Sequence, residues 1–88
     1  MYHTYILKCS DNTLYTGIST DLKRRIREHN GEISGGAKYT SNRQPVTLLY
    51  SEQFENRSDA SKREHAIKKL SRNKKIELIH SKTDNKLS

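Results

Sequence analysis

The sequence has a single cysteine and no long hydrophobic run, and each absence excludes a class of protein. Cys9 has no second cysteine with which to form an internal disulfide, and one cysteine is too few for the usual kind of zinc site. Apolar runs of only a few residues predict neither a membrane span nor a signal peptide. The sequence therefore predicts a protein of the reducing cytoplasm that has no membrane partner, with Cys9 as a small core residue.

The chain is also short and poor in hydrophobic residues. It has 88 residues, of which 31% are hydrophobic and 31% are charged. The apolar residues nevertheless recur with the periods of helices and strands, which indicates a folded chain with one modest core. We expect a single domain over residues 1–81 and a frayed C-terminal tail over residues 82–88.

Positive charge is in excess. Lys and Arg number 17 against 10 acidic residues, which gives a net charge of +7. Such an excess favours a polyanionic partner, because each phosphate contact releases counterions. The alternative is that the charge serves solubility alone.

The periodicity predicts strands and helices in the order β-β-α-β-α-α, with the third strand joining the sheet of the hairpin. A hairpin is expected over residues 2–18 and a third strand follows Pro45. Helices are expected over residues 22–30, 59–70 and 72–80, capped by Thr20 or Asp21, by Ser58 and by Ser71. Residues 32–44 are expected to form a long loop, either functional or a solvated connection.

The length of the hairpin turn decides which faces of the sheet the two tyrosines of the hairpin occupy. A two- or four-residue turn places Tyr5 and Tyr15 on opposite faces of the sheet. A three-residue turn, Asp11–Thr13, or one bulge places both on the same face. The residues of the turn alone leave both arrangements open.

Three ionisable residues occupy helix positions where hydrophobic residues would be expected. Arg25 and His29 share an inward stripe with Leu22 and Ile26, whereas Arg24, Arg27 and Glu28 are expected to face outward. Glu64 lies between Ala60 and Ile67 on the stripe of the second long helix. Each has a structural alternative: Arg25 and Glu64 could form one internal salt bridge, and His29 could be a hydrogen-bonded core histidine. Likewise, Tyr5 or Tyr15 could be a core aromatic residue.

Taken together, these side chains suit phosphodiester cleavage. A guanidinium stabilises negative charge on phosphate, and a carboxylate can hold a divalent cation that acts as a Lewis acid. A tyrosine or a histidine can take the proton of the attacking water.

The ordered set of motifs resembles the GIY-YIG nuclease superfamily, in particular its small stand-alone bacterial members. His3-Thr4-Tyr5 stands at the first motif, without its glycine and with Thr4 in place of isoleucine, and Tyr15-Thr16-Gly17 stands at the second. Arg25 follows Tyr15 by ten residues and His29 follows it by fourteen, as in the family's helix, and Glu64 matches its metal-binding glutamate. Asn73 is a candidate for the family's late asparagine, although it follows Glu64 by only nine residues.

The resemblance implies an α+β fold, a small three-stranded antiparallel sheet flanked by helices. It also implies hydrolysis of DNA with one divalent metal, Mg²⁺ or Mn²⁺, held by Glu64. It implies that Tyr15 activates the water, with Tyr5 orienting it or sharing its proton. Arg25 would stabilise the phosphate, and His29 would assist proton transfer or position Tyr15. These roles favour the same-face hairpin, with Gly17 allowing close approach of the backbone. Because there is no second DNA-binding domain, specificity would be for DNA structure, would be low, or would come from a protein partner.

Six basic residues are expected to contact nucleic acid: Lys38 and Arg43 in the long loop, and Lys68, Lys69, Lys74 and Lys75 on the later helices. Two alternatives to an active nuclease remain. One is a nucleic-acid-binding module of the same fold that cuts weakly or not at all, and the other is an interaction protein whose basic helices dock on RNA or an acidic partner.

Overall fold

The structure is a computed structural model that describes residues 1–81 in full and the backbone of residues 82–87. Its elements are β1 (Tyr2–Lys8), β2 (Leu14–Ser19), α1 (Leu22–His29), α2 (Lys38–Ser41), β3 (Thr47–Phe54), α3 (Arg57–Lys68) and α4 (Arg72–Leu87). The strands form one antiparallel sheet in the order β2-β1-β3, which confirms the predicted α+β class. The predicted fraying of residues 82–88 lies outside the fully described residues.

A three-residue turn joins β1 to β2, as the same-face arrangement requires. The bond from Cys9 N–H to the Thr13 carbonyl, 2.9 Å, closes a turn of residues 10–12, one residue earlier than predicted. Asn12 takes the left-handed conformation at φ 70°, which asparagine tolerates better than most residues. The Asp11 carboxylate accepts hydrogen bonds from the backbone and the hydroxyl of Thr13, which fixes the turn. Tyr5 consequently pairs with Gly17.

The sheet separates two apolar clusters because alternate residues of β1 point to opposite faces. Tyr5, Leu7 and Cys9 pack with Val46, and α1 covers them through Leu22 and Ile26. On the other face Ile6 packs with Tyr50, with Ile67 of α3 and with Ile79 of α4. Thr4, also on this face, donates its hydroxyl to the Ala60 carbonyl of α3 at 2.8 Å. The central strand is therefore buried between two layers of helices.

The helix ends agree with the predicted caps at two of three positions. The Asp21 side chain accepts from the Arg24 N–H at the start of α1, and Ser71 accepts from Lys74 N–H at the start of α4. The predicted cap Ser58 is wrong. Asn56 caps α3 by accepting from the Asp59 N–H at 2.8 Å, so the helix begins two residues earlier than expected. Asparagine is as effective a cap as serine, so the preference for cap residues does not distinguish the two positions.

The segment predicted as a long loop, residues 32–44, contains the one-turn helix α2. Arg43 fastens it to the hairpin turn, because its guanidinium donates to Asp11 at 3.0 Å and its carbonyl accepts from Ser10 N–H at 2.9 Å. Gln44 donates to the His29 carbonyl at 2.9 Å. The segment is thus held against α1 and the hairpin. Among the described residues, no helix is long and apolar enough to cross a membrane.

Candidate active site

The centre of the candidate site is the face of the hairpin that carries Tyr5 and Tyr15. Their rings lie 6.4 Å apart between centroids, on the face covered by α1. Gly17 makes room for Tyr5: a Cβ at Gly17 would lie 2.6 Å from the Tyr5 hydroxyl and 2.8 Å from its ring carbon Cζ. A larger residue at position 17 would therefore displace the phenol.

His29 lies at the end of α1 and is 0% exposed. Its Nε2 is 2.9 Å from the Tyr5 hydroxyl, and its Nδ1 is 2.8 Å from the Thr40 hydroxyl. Burial and the nearby Arg25 cation lower the pKa of His29 to about 4, against a smaller opposing effect of Glu28. The imidazole is therefore neutral near pH 7.

The two phenols differ in their surroundings. Burial raises the pKa of Tyr5 to about 12, while Arg25 is close enough to the hydroxyl to oppose the rise. A negative charge on Tyr15 or Glu64 would raise the pKa of Tyr5 further, so both side chains lie within electrostatic reach. The hydroxyl of Tyr15, in contrast, has no hydrogen-bond partner among the described residues, and its side chain is half-buried. Tyr15 is the phenol better placed to meet a water molecule.

An aromatic stack leads from this centre to the surface. The Tyr15 ring makes an edge contact with His29, with centroids 5.0 Å apart, and lies 5.6 Å from Tyr39. Tyr39 is 40% exposed, and the Arg43 guanidinium lies 4.2 Å from its ring centroid. Tyr39 and Arg43 thus form the outer wall beside Tyr15.

Arg25 faces the phenols but is held by residues of its own layer. Its Nη1 donates to the Glu28 carboxylate at 2.7 Å and to the Gly35 carbonyl at 2.6 Å. The alternative of an internal Arg25–Glu64 salt bridge is therefore wrong. The expectation that Glu28 faces outward is wrong as well, because this carboxylate is mostly buried between Arg24 and Arg25. The two cations lower the pKa of Glu28 and keep it ionised.

The carboxylate of Glu64 on α3 raises the pKa of Tyr5. Its side chain is 17% exposed and pairs with Lys68, Nζ to Oε2, at 3.3 Å. In the fully described part of the chain no three His, Cys, Asp or Glu residues group as a metal site. A single carboxylate fits Mg²⁺, which keeps several waters and completes its shell with substrate phosphate. The residues present thus fit a cation held by one glutamate.

The expected nucleic-acid contacts occupy two regions. Lys38 is exposed at the start of α2, beside the stack that contains Arg43. Lys69 is exposed at the end of α3, Lys74 pairs with Glu77 at 3.4 Å, and Lys75 is half-buried in α4.

The candidate Asn73 is exposed in the first turn of α4. No hydrogen bond in the described part of the chain joins its side chain to the phenols, to Arg25 or to Glu64. The structure therefore brings Tyr5, Tyr15, Arg25 and His29 together and places Glu64 within electrostatic reach, but leaves Asn73 apart.

Sequence reasoning missed the roles of Thr40 and Glu28, which support the site from its edges. Thr40 lies in the segment interpreted as a long loop, and its contact with His29 is long-range. Glu28 had a local signal, since its spacing of three and four residues from Arg25 and Arg24 permits ion pairs on a helix.

Comparisons with known proteins assign the chain to a family. The family model described as the GIY-YIG catalytic domain matches residues 1–77. A UPF0213 protein of Clostridium perfringens is 53% identical over 94% of this chain and 87% of its own length. A second, of Halobacterium salinarum, is 52% identical over 90% of this chain and 100% of its own. The solution NMR structure of a UPF0213 protein from Bacillus halodurans has a TM-score of 0.60 at 42% identity, covering 93% of this chain and 86% of that one. The chain belongs to the GIY-YIG family, a family of nucleases, as a small member related to the UPF0213 proteins.

Proposed function

We propose that the protein is a metal-dependent endonuclease that hydrolyses DNA phosphodiester bonds in the cytoplasm, with a preference for DNA structure rather than sequence. The observation that carries the proposal is the convergence of two phenols, a neutral imidazole and a guanidinium on one face of the hairpin. This set can orient a water, accept its proton and stabilise the charge of a phosphate.

The roles follow from exposure and hydrogen bonding. Tyr15, whose hydroxyl has no partner among the described residues, contacts the attacking water. Tyr5 lies deeper in the protein than Tyr15, and its hydroxyl is hydrogen-bonded to the neutral His29. Arg25 stabilises the developing charge of the phosphate, and the Glu28 carboxylate orients the guanidinium.

Glu64 would hold the divalent cation, Mg²⁺ or Mn²⁺, which supplies Lewis-acid stabilisation of the phosphate when bound. The Lys68 ammonium now paired with Glu64 would then turn toward the DNA backbone. The basic residues of α2, α3 and α4 would contact DNA without reading its sequence, and a protein partner could supply targeting.

A second candidate, a binding module that cuts weakly or not at all, is favoured by two specific contacts. Arg25 is already engaged by Glu28 and by the Gly35 carbonyl, and Glu64 is engaged by Lys68. If these pairs persist on DNA, neither the phosphate nor the cation is stabilised, and the basic surface binds without cleavage.

The test is cleavage of labelled duplex, nicked, single-stranded and branched DNA, with and without Mg²⁺ or Mn²⁺. We expect metal-dependent cutting that Glu64→Ala abolishes and that Tyr15→Phe slows by roughly 10²- to 10⁴-fold. Glu55→Ala is the matched control, since it removes an exposed carboxylate outside the site. Equal, salt-sensitive binding by all four proteins with no cutting would overturn the nuclease in favour of the binding module.

A further inference from the structure

The Thr40 hydroxyl determines the direction of the hydrogen bonds in the candidate site. Thr40 is 0% exposed, and its hydroxyl oxygen has two partners, the Ala37 carbonyl at 3.0 Å and His29 Nδ1 at 2.8 Å. A carbonyl can only accept, and a hydroxyl has one proton to give. Thr40 therefore donates to Ala37 and accepts from His29, so Nδ1 of the imidazole carries the proton.

The tautomer of His29 then determines the role of Tyr5. Because the buried imidazole is neutral, Nε2 has no proton and must accept one hydrogen bond. The Tyr5 hydroxyl, 2.9 Å away, is the donor. The Arg25 guanidinium, which can only donate, is near enough to oppose the rise in the pKa of the Tyr5 hydroxyl. The Tyr5 hydroxyl thus donates its proton to His29, and only its oxygen remains free to accept a further hydrogen bond.

We propose that Thr40 is a positioning residue that fixes the His29 tautomer, so that the Tyr5 hydroxyl donates to His29 and can serve the rest of the site only as a hydrogen-bond acceptor. Each hydrogen bond of the series is then donated inward: Tyr5 donates to His29, His29 donates to Thr40, and Thr40 donates to the Ala37 carbonyl. The effect of the tautomer on cleavage rests on the proposed nuclease function, whereas the donor and acceptor roles in these hydrogen bonds do not. In the other tautomer, Nε2–H would donate to Tyr5 and turn the phenol proton toward the substrate.

The tautomer can be measured by long-range ¹H–¹⁵N correlation spectra of the histidine rings. The protein has four histidines, and a His29→Asn spectrum assigns the signal. We expect a protonated Nδ1 and an unprotonated Nε2 in the wild type and in Thr40→Ser. Thr40→Val, which has the same shape without the hydroxyl, should shift His29 to the Nε2–H tautomer. An Nε2–H tautomer in the wild type overturns the proposal without any variant.

Cleavage assays supply the second readout. Thr40→Val should lower kcat at least ten-fold with KM within two-fold of the wild type, and Thr40→Ser should restore kcat, as expected when proton handling alone is impaired. A tautomer unchanged by Thr40→Val overturns the proposal even if cleavage falls. A tautomer that shifts in a protein that never cuts DNA would leave the positioning role intact and remove the nuclease function.

Discussion

The five residues at the centre of the candidate site can be identified from the sequence, but not all of their partners can. Tyr5, Tyr15, Arg25, His29 and Glu64 could be selected from sequence because each places a polar group on a face that periodicity assigns to the core. The partner of His29 could not be predicted, because Thr40 lies in a separate segment and gives no signal of the contact. Lys68, in contrast, follows Glu64 by four residues, a spacing that permits an ion pair on a helix. A polar residue on an apolar stripe can be identified from the sequence, whereas a hydrogen-bond partner from a distant segment cannot.

The two phenols should respond differently to removal of the hydroxyl. Tyr15→Phe removes no hydrogen bond within the described protein and should change the free energy of unfolding by less than about 1 kcal/mol. Tyr5→Phe leaves the buried Nε2 of His29 without its donor and should cost about 1–3 kcal/mol. Urea unfolding of both variants measures the difference, and equal losses would contradict it.

His29 should make stability depend on pH between about 6.5 and 4. Its pKa is lowered from 6.5 to about 4 in the folded protein, so the unfolded chain binds the proton first as the pH falls. The contribution of the neutral His29 to the free energy of unfolding is fully present above pH 6.5. It decreases as the pH falls toward 4, by on the order of 3 kcal/mol. Urea unfolding across this range measures the loss. The slope should be smaller in His29→Asn, and identical slopes would show that other groups cause it.

At the scale of elements, the strands and the three long helices followed from periodicity and caps, but two features did not. Asn56, which has an extended backbone, caps α3 in place of the predicted Ser58, and local preference does not distinguish the two residue types. The one-turn helix α2 lacks a periodic apolar pattern and is held by long-range bonds of Thr40 and Arg43. Short elements stabilised by tertiary contacts are the ones that sequence patterns miss.

The segment between α1 and α2 should depend on Gly36. A Cβ at this position would lie 2.3 Å from the Glu28 carbonyl oxygen, which is backbone and cannot move aside cheaply. Gly36→Ala should therefore displace the segment that carries Thr40 and lower the free energy of unfolding by about 1–3 kcal/mol. Ser34→Ala, an exposed change in the same segment, is the control for thermal unfolding. A Gly36→Ala protein as stable as this control would contradict the prediction.

At the scale of the whole molecule, the net charge of +7 should give nucleic-acid binding a strong salt dependence. Replacing Lys74 and Lys75 by glutamine should weaken binding to all DNA sequences alike and reduce the salt slope by roughly one to two units. Lys8→Gln with Lys23→Gln makes the same change in net charge away from α4 and should alter the slope less. A loss restricted to one DNA sequence would argue for base recognition instead.

The sheet divides the proposed machinery between two layers. The phenols, Arg25 and His29 belong to the α1 layer, whereas Glu64 is carried by α3, which packs on the opposite face of β1 through Ile67. Cleavage would thus require that α1 and α3 are both packed correctly on the sheet, and not merely that the helices are formed. In a denaturant series, DNA cutting should disappear before far-ultraviolet circular dichroism changes if docking of α3 loosens first. Loss of cleavage would then measure the undocking of α3 from the sheet.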